Sequence, residues 1–153
     1  MGKPILGAVL GLVVLLGVVM GLFFGIYAVL GAEKSFEGDT WNPSAFWMGV
    51  MLVVNLGAAA AAGLVCRAVS KSNQGRNILV AIVIAMSLYS TYDVTNRAKP
   101  EGPRPAEVSM EDAMNKAQTP SWLLILNPLI GIGGIMWFAS VKPNSEPEGA
   151  VEG

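Results

Sequence analysis

Asn55 and Asn127 carry the strongest hydrogen-bonding side chains within the long apolar stretches of the sequence. Inside a membrane such an amide has to find a partner, and an interhelical hydrogen bond of this kind is worth about 1 kcal/mol. We therefore expect Asn55 to hold helices together, with contact to a bound ligand as the alternative. Asn127 is a candidate for contact with a solute or a partner. The chemistry that these two residues offer is hydrogen bonding.

Ionisable and metal-ligating chemistry is sparse. Histidine is absent and Cys66 is the only cysteine, so the usual axial ligand of b-type haem, the commonest zinc or copper ligand and a redox pair of thiols are all missing. The 11 acidic residues lie outside the long apolar stretches or at their ends, whereas a proton or sodium relay needs an ionisable group at membrane depth. We expect a protein that is not an enzyme and binds no metal or other cofactor.

The composition indicates a membrane protein. Hydrophobic residues make up 53% of the 153 residues and charged residues 14%, whereas a typical soluble domain has about 25% charged residues. The apolar residues are concentrated in runs that approach the roughly 20 residues needed to cross a bilayer. The net charge of -1 and the scattered basic residues argue against nucleic acid as a partner.

Four apolar stretches have lengths close to that of a membrane span: 4–30, 45–66, 77–92 and 121–141. We therefore predict an all-α fold, a four-transmembrane-helix bundle, in a membrane domain that covers residues 1–141. The third stretch is the weakest because its second half is semi-polar, and a partial or re-entrant segment is the alternative to a full crossing. The tail, 142–153, is polar and rich in proline and glycine, and we expect it to be disordered.

The connection 95–119 is the only sizeable extramembrane segment before the tail. Its second part begins with a capping box from Ser109 to Asp112. In the helix that this capping box begins, one face carries Met110, Ala113, Met114 and Ala117. This pattern predicts a short interfacial amphipathic helix that lies on the bilayer surface or on the ends of the spans. Docking of a partner through Met110 and Met114 is the alternative.

Glycine and alanine form stripes on the first two apolar stretches. At about 100° per residue, five glycines fall within an arc of about 120° on the first helix: Gly7, Gly11, Gly17, Gly21 and Gly25. On the second helix Ala59 and Ala62 share a face with Asn55. Association in lipid depends on close approach of backbones, which small residues permit. We therefore predict that these faces are helix-packing surfaces.

The fourth apolar stretch contains Pro128, followed by Gly131. Proline removes one backbone hydrogen bond and leaves the carbonyl of Leu124 without that donor, which predicts a kink. Kinked, glycine-rich helices line solute sites in transporters, and they also occur in ordinary bundles. Pro128 and Gly131 are therefore candidates for contact with a solute or a partner.

The entry to the fourth stretch carries the one family resemblance in the sequence. Pro120 and Trp122 precede the proline and glycines of that stretch. In this layout the chain resembles small bacterial four-helix membrane proteins without an assigned activity, many of which enter the last span through a P-x-W sequence. The resemblance covers the spacing of most of the chain and supplies no functional residues.

Two functions are compatible with these features. The leading prediction is a non-catalytic accessory or scaffold subunit that packs against other integral membrane subunits through its Gly/Ala-rich faces. The alternative is a small homo-oligomeric channel or carrier for a neutral or lipidic solute, with Asn55, Asn127 and Pro128 lining the path. The expected location is the inner membrane of a bacterium. Three basic residues without an acid between 67 and 76 favour both termini in the cytoplasm.

Overall fold

The computed structural model describes residues 2–140 and contains five helices. They are α1 (Gly2–Ser35), α2 (Ala45–Ser70), α3 (Asn73–Asn96), α4 (Met110–Lys116) and α5 (Ser121–Phe138). Four of them, α1, α2, α3 and α5, are long and apolar enough to cross a membrane. The predicted all-α fold with four spans and a short helix between the third and fourth is therefore confirmed. The predicted tail, 142–153, lies outside the described residues.

The short connections 36–44 and 71–72 place α1, α2 and α3 side by side and antiparallel. Asn127 bonds to Asn55 and Gly134 lies against Ala59, so α5 runs parallel to α2 and antiparallel to α3. The end that carries α4, the 36–44 loop and the connection 97–120 is called the α4 end below, and the opposite end the terminal end. The third apolar stretch forms a continuous helix of 24 residues, which is about 36 Å long at 1.5 Å per residue. Its length is therefore sufficient for a full crossing.

Local sequence accounts for the helix boundaries. Gly31 interrupts α1 with φ 68°, a left-handed conformation that glycine adopts without strain. Ser44 precedes α2, and its side-chain oxygen accepts a hydrogen bond of 3.1 Å from the amide of Trp47, which satisfies one of the free donors of the first turn. Lys71, with φ 49°, ends α2. A sharp turn follows at once into α3.

The two ends of the bundle are packed differently. At the terminal end the helices meet through small side chains, and Ala62, Cys66 and Leu79 have no exposed surface. Towards the α4 end the contact between α1 and α2 is aromatic: the rings of Phe23 and Tyr27 lie 5.8 and 5.9 Å from that of Trp47. Large rings hold helix axes farther apart than alanine or glycine does. The bundle is therefore tight at its terminal end and wider at its α4 end.

The loops at the α4 end are joined by Arg104, which is only 7% exposed. Its guanidinium donates hydrogen bonds of 2.7 Å to the carbonyls of Gly38 and Pro105 and lies 5.3 Å from the centre of the Phe36 ring. The hydroxyl of Tyr27 donates to the carbonyl of Val108 at 2.8 Å. These contacts fasten the 36–44 loop and the connection 97–120 over the ends of the spanning helices.

Candidate functional site

Gly7 and Gly11 lie where α1 crosses the end of α2. A Cβ atom added to Gly7 would lie 2.7 Å from the Cβ of Ser70 and 2.9 Å from the carbonyl oxygen of Cys66. One added to Gly11 would lie 3.0 Å from the carbonyl oxygen of Ala62. A side chain at Gly7 would require the backbone of α2 to move, and one at Gly11 would press on the Leu79 side chain and on the carbonyl oxygen of Ala62. These two glycines let the helices approach closely, as the glycine stripe predicts.

The remaining glycines of the stripe, Gly17, Gly21 and Gly25, do not contact another helix within residues 2–140. All three are exposed, and no atom lies within 4 Å of an added Cβ. The contact face of α1 turns along its length, so that Phe23 and Tyr27 face α2 here. Contact of these three glycines with a different chain stays a prediction.

Ala58, Ala59 and Ala62 of α2 are fully buried in the tight half of the bundle. Ala62 presents its carbonyl to Gly11, and the Cβ of Ala59 lies 2.9 Å from a Cβ placed on Gly134 of α5. Sequence reasoning missed two further close approaches, at Gly63 against α5 and at Gly75 against Ser70. The signal for Gly63 was present, since it follows Ala59 at the four-residue spacing of small residues in packed membrane helices.

The side-chain amides of Asn55 and Asn127 form a hydrogen bond with each other. The Asn55 side-chain nitrogen donates a hydrogen bond of 3.1 Å to the side-chain oxygen of Asn127 and so joins α2 to α5. The pair lies beside a cavity of about 310 Å³ that all four spanning helices border. This space, called the amide cavity, is lined by Leu15, Leu16, Val19, Asn55, Val83, Met86, Ser87, Ser90, Thr91, Leu124, Asn127, Pro128, Gly131 and Ile135.

The amide cavity is largely apolar, with polar side chains on its α2, α3 and α5 walls. On α3 the hydroxyl-bearing residues Ser87, Ser90 and Thr91 line it, which accounts for the semi-polar second half of the third apolar stretch. On α5 the wall includes Leu124 and Pro128, and Pro128 has no N–H to offer the carbonyl of Leu124. None of the lining residues titrates near neutral pH. The cavity therefore offers neutral hydrogen-bonding groups among apolar side chains.

Helix α4 covers a second cavity, of about 240 Å³. Ser109 caps α4 as predicted, accepting a hydrogen bond of 3.1 Å from the amide of Asp112. Hydrogen bonds from Lys116 and Ser109 hold the pKa of Asp112 below its ordinary value. The space under α4, called the methionine cavity, is lined chiefly by Met20, Met51, Met110, Met114, Tyr27 and Trp47. Met110 and Met114 thus face a cavity within this chain.

A third cavity, of about 570 Å³, lies at the level where α3 ends and α5 begins. It is called the interface cavity. The sequence did not indicate it because its walls come from two separate connections and from the ends of α2, α3, α4 and α5. Its charged lining residues are Glu37, Arg97, Lys99 and Lys116. Arg97 forms the i,i+4 ion pair with Asp93, an arrangement typical of a helix surface.

The amide cavity provides neutral hydrogen-bonding groups between the spanning helices. Within residues 2–140 no group of three or more His, Cys, Asp or Glu residues could hold a metal ion. Three neighbouring cavities occupy the wide half of the bundle, and the one deepest among the spans contains the amide pair. No family model, curated protein or solved structure matches this chain.

Proposed function

We propose that this protein is a non-catalytic membrane protein that binds a neutral or lipidic solute between its four spanning helices. The observation that carries the proposal is the Asn55–Asn127 pair beside a cavity of about 310 Å³. Ligand sites commonly have volumes of about 300–1,000 Å³ and combine an apolar lining with a few polar groups. We place the protein in a bacterial inner membrane, with both termini in the cytoplasm.

The groups that line the amide cavity indicate which kind of solute would bind there. Each amide can make more than the one hydrogen bond that joins the pair, so donors and acceptors remain for a ligand. A charged group would be costly at this depth, and the lining supplies no opposite charge for one. A neutral polar group attached to an apolar body satisfies both conditions.

Replacing Asn127 by leucine tests this proposal. Asn127→Leu keeps a similar volume but removes the acceptor of the 3.1 Å hydrogen bond, so the solute loses a binding group while the fold loses about 1 kcal/mol. Native mass spectrometry of protein released from membranes should show a bound small molecule in the wild type and at least a tenfold weaker signal in the variant. Leu129→Ala, on the exposed side of the same helix, should retain it. Equal retention by Asn127→Leu, or no bound molecule in the wild type, would contradict the proposal.

A second candidate function, an accessory subunit of a larger membrane complex, is favoured by the exposed face of Gly17, Gly21 and Gly25. A helix of another protein would approach this face as closely as α2 approaches Gly7. Gly21→Leu should then abolish co-purification with that subunit in mild detergent and leave the melting temperature of the isolated chain unchanged. A wild-type chain that purifies free of other subunits would count against this candidate.

A further inference from the structure

The three cavities share walls. Leu124 lines both the interface cavity and the amide cavity. Pro43, Ala117 and Thr119 line both the interface cavity and the methionine cavity. One polar space at the membrane interface therefore borders two largely apolar spaces that lie deeper in the bundle.

The charges that line the interface cavity are not all compensated. Arg97 is paired with Asp93, and Lys116 with Asp112 at 2.9 Å. The other two charged lining residues, Glu37 and Lys99, form no ion pair within residues 2–140. The cavity thus presents one uncompensated acid and one uncompensated base.

We propose that the bound solute is a zwitterionic phospholipid with two acyl chains, an inference that rests on the proposed function and names its substrate class. The phosphate lies towards Lys99 and the ammonium group towards Glu37. One acyl chain enters the amide cavity past Leu124, and the other enters the methionine cavity past Ala117. Met86 and Met20 are partly exposed on the outer sides of these two cavities, so longer chains extend into the bilayer.

The headgroup decides the selectivity, because an acyl chain gains little on moving from one apolar environment to another. An anionic lipid such as phosphatidylglycerol carries the same phosphate but offers no cationic group to Glu37. A single-chain or sterol-like solute would occupy only one of the two deeper cavities. A zwitterionic lipid matches both the two free charges and the two apolar spaces.

The experiment incorporates the full-length chain into nanodiscs of equal parts phosphatidylethanolamine and phosphatidylglycerol and records retained lipid by native mass spectrometry. We expect one phosphatidylethanolamine per chain, favoured about fivefold over phosphatidylglycerol, the ratio expected for one interfacial ion pair. Glu37→Gln should shift the preference towards phosphatidylglycerol, and Lys99→Gln should weaken retention of both lipids. Glu33→Gln, an exposed acid outside the cavity, should behave as the wild type.

Three results would overturn this inference. The first is equal retention of the two lipids by the wild type, and the second is an unchanged preference in Glu37→Gln. The third is complete displacement of the lipid by millimolar phosphoethanolamine, which would identify a soluble compound as the occupant. A wild type that retains a different neutral molecule, and loses it in Asn127→Leu, would refute the phospholipid while supporting the proposed function. Absence of any bound molecule would refute both.

Discussion

Gly11→Leu is expected to destabilise the bundle strongly. An added Cβ would lie 2.9 Å from a methyl carbon of Leu79, 3.0 Å from the carbonyl oxygen of Ala62 and 3.1 Å from the Cβ of Cys66. The carbonyl belongs to a helix backbone, which cannot move without disturbing its neighbours. Overpacking of this kind costs about 3 kcal/mol, which corresponds to a fall in melting temperature of roughly 6–12 °C for a chain of this size.

Gly21→Leu is the matched control, because it makes the same change on the same helix where nothing lies within 4 Å of the added Cβ. Thermal unfolding of both variants in one detergent measures the difference. The control should melt within about 2 °C of the wild type, since substitutions away from packed contacts have small effects. Equal melting temperatures for the two variants would mean that α1 does not pack on α2 through Gly11.

Arg104→Met is expected to release the loops at the α4 end without unfolding the spanning helices. The substitution removes the 2.7 Å hydrogen bonds from the guanidinium to the carbonyls of Gly38 and Pro105, and a hydrogen bond to a charged group contributes about 1.5–3 kcal/mol. We therefore expect a local loss of about 2–4 kcal/mol. Amide hydrogen exchange in segments 36–43 and 103–108 should accelerate by at least tenfold.

Two further variants identify what Arg104 contributes. Arg104→Lys keeps the charge but cannot bond two carbonyls with a planar guanidinium, so its exchange rates should lie between those of the wild type and Arg104→Met. Arg76→Met removes an arginine at the terminal end, where its side chain contacts Asn77 and Ser140, and should not affect these loops. Unchanged exchange in Arg104→Met would show that the loops hold together without the guanidinium.

The spans were predictable because the length of an apolar run and the spacing of small residues report directly on membrane crossing and close helix contact. The amide pair was not, since the partner of Asn55 depends on how α2 and α5 are rotated and tilted, which no local pattern specifies. The contacts of the glycine stripe also depend on the tertiary arrangement. Periodicity places Gly7 and Gly25 on one face, but only the tertiary arrangement brings α2 to Gly7.

The cavities and the loop contacts depend on distant parts of the chain. Arg104 stands in the turn-rich segment "PEGPRP", where an isolated arginine would ordinarily be solvated. It is buried because the carbonyl of Gly38 and the ring of Phe36 come from another connection. Glu37 and Lys99 likewise line one cavity although they belong to different connections. The sequence pattern therefore indicated the scaffold and, as an alternative function, a solute path lined by Asn55, Asn127 and Pro128, but not the methionine and interface cavities at the α4 end.

Thiol labelling tests the central claim, that the α4 half of the bundle is hollow around the amide pair whereas the terminal half is closed. Ser87→Cys places a thiol on the wall of the amide cavity, Leu88→Cys places one on the exposed side of α3, and native Cys66 is fully buried in the closed half. In protein from which the bound solute has been removed, the hydroxyl and amide groups of the cavity wall favour water, and a charged methanethiosulfonate reacts with a thiolate that is in contact with water. Applied from the α4 side, the reagent is predicted to modify Ser87→Cys and to leave Leu88→Cys and Cys66 unmodified. A Ser87→Cys protein that is as unreactive as Leu88→Cys, or a Cys66 that reacts as fast as Ser87→Cys, would contradict the account.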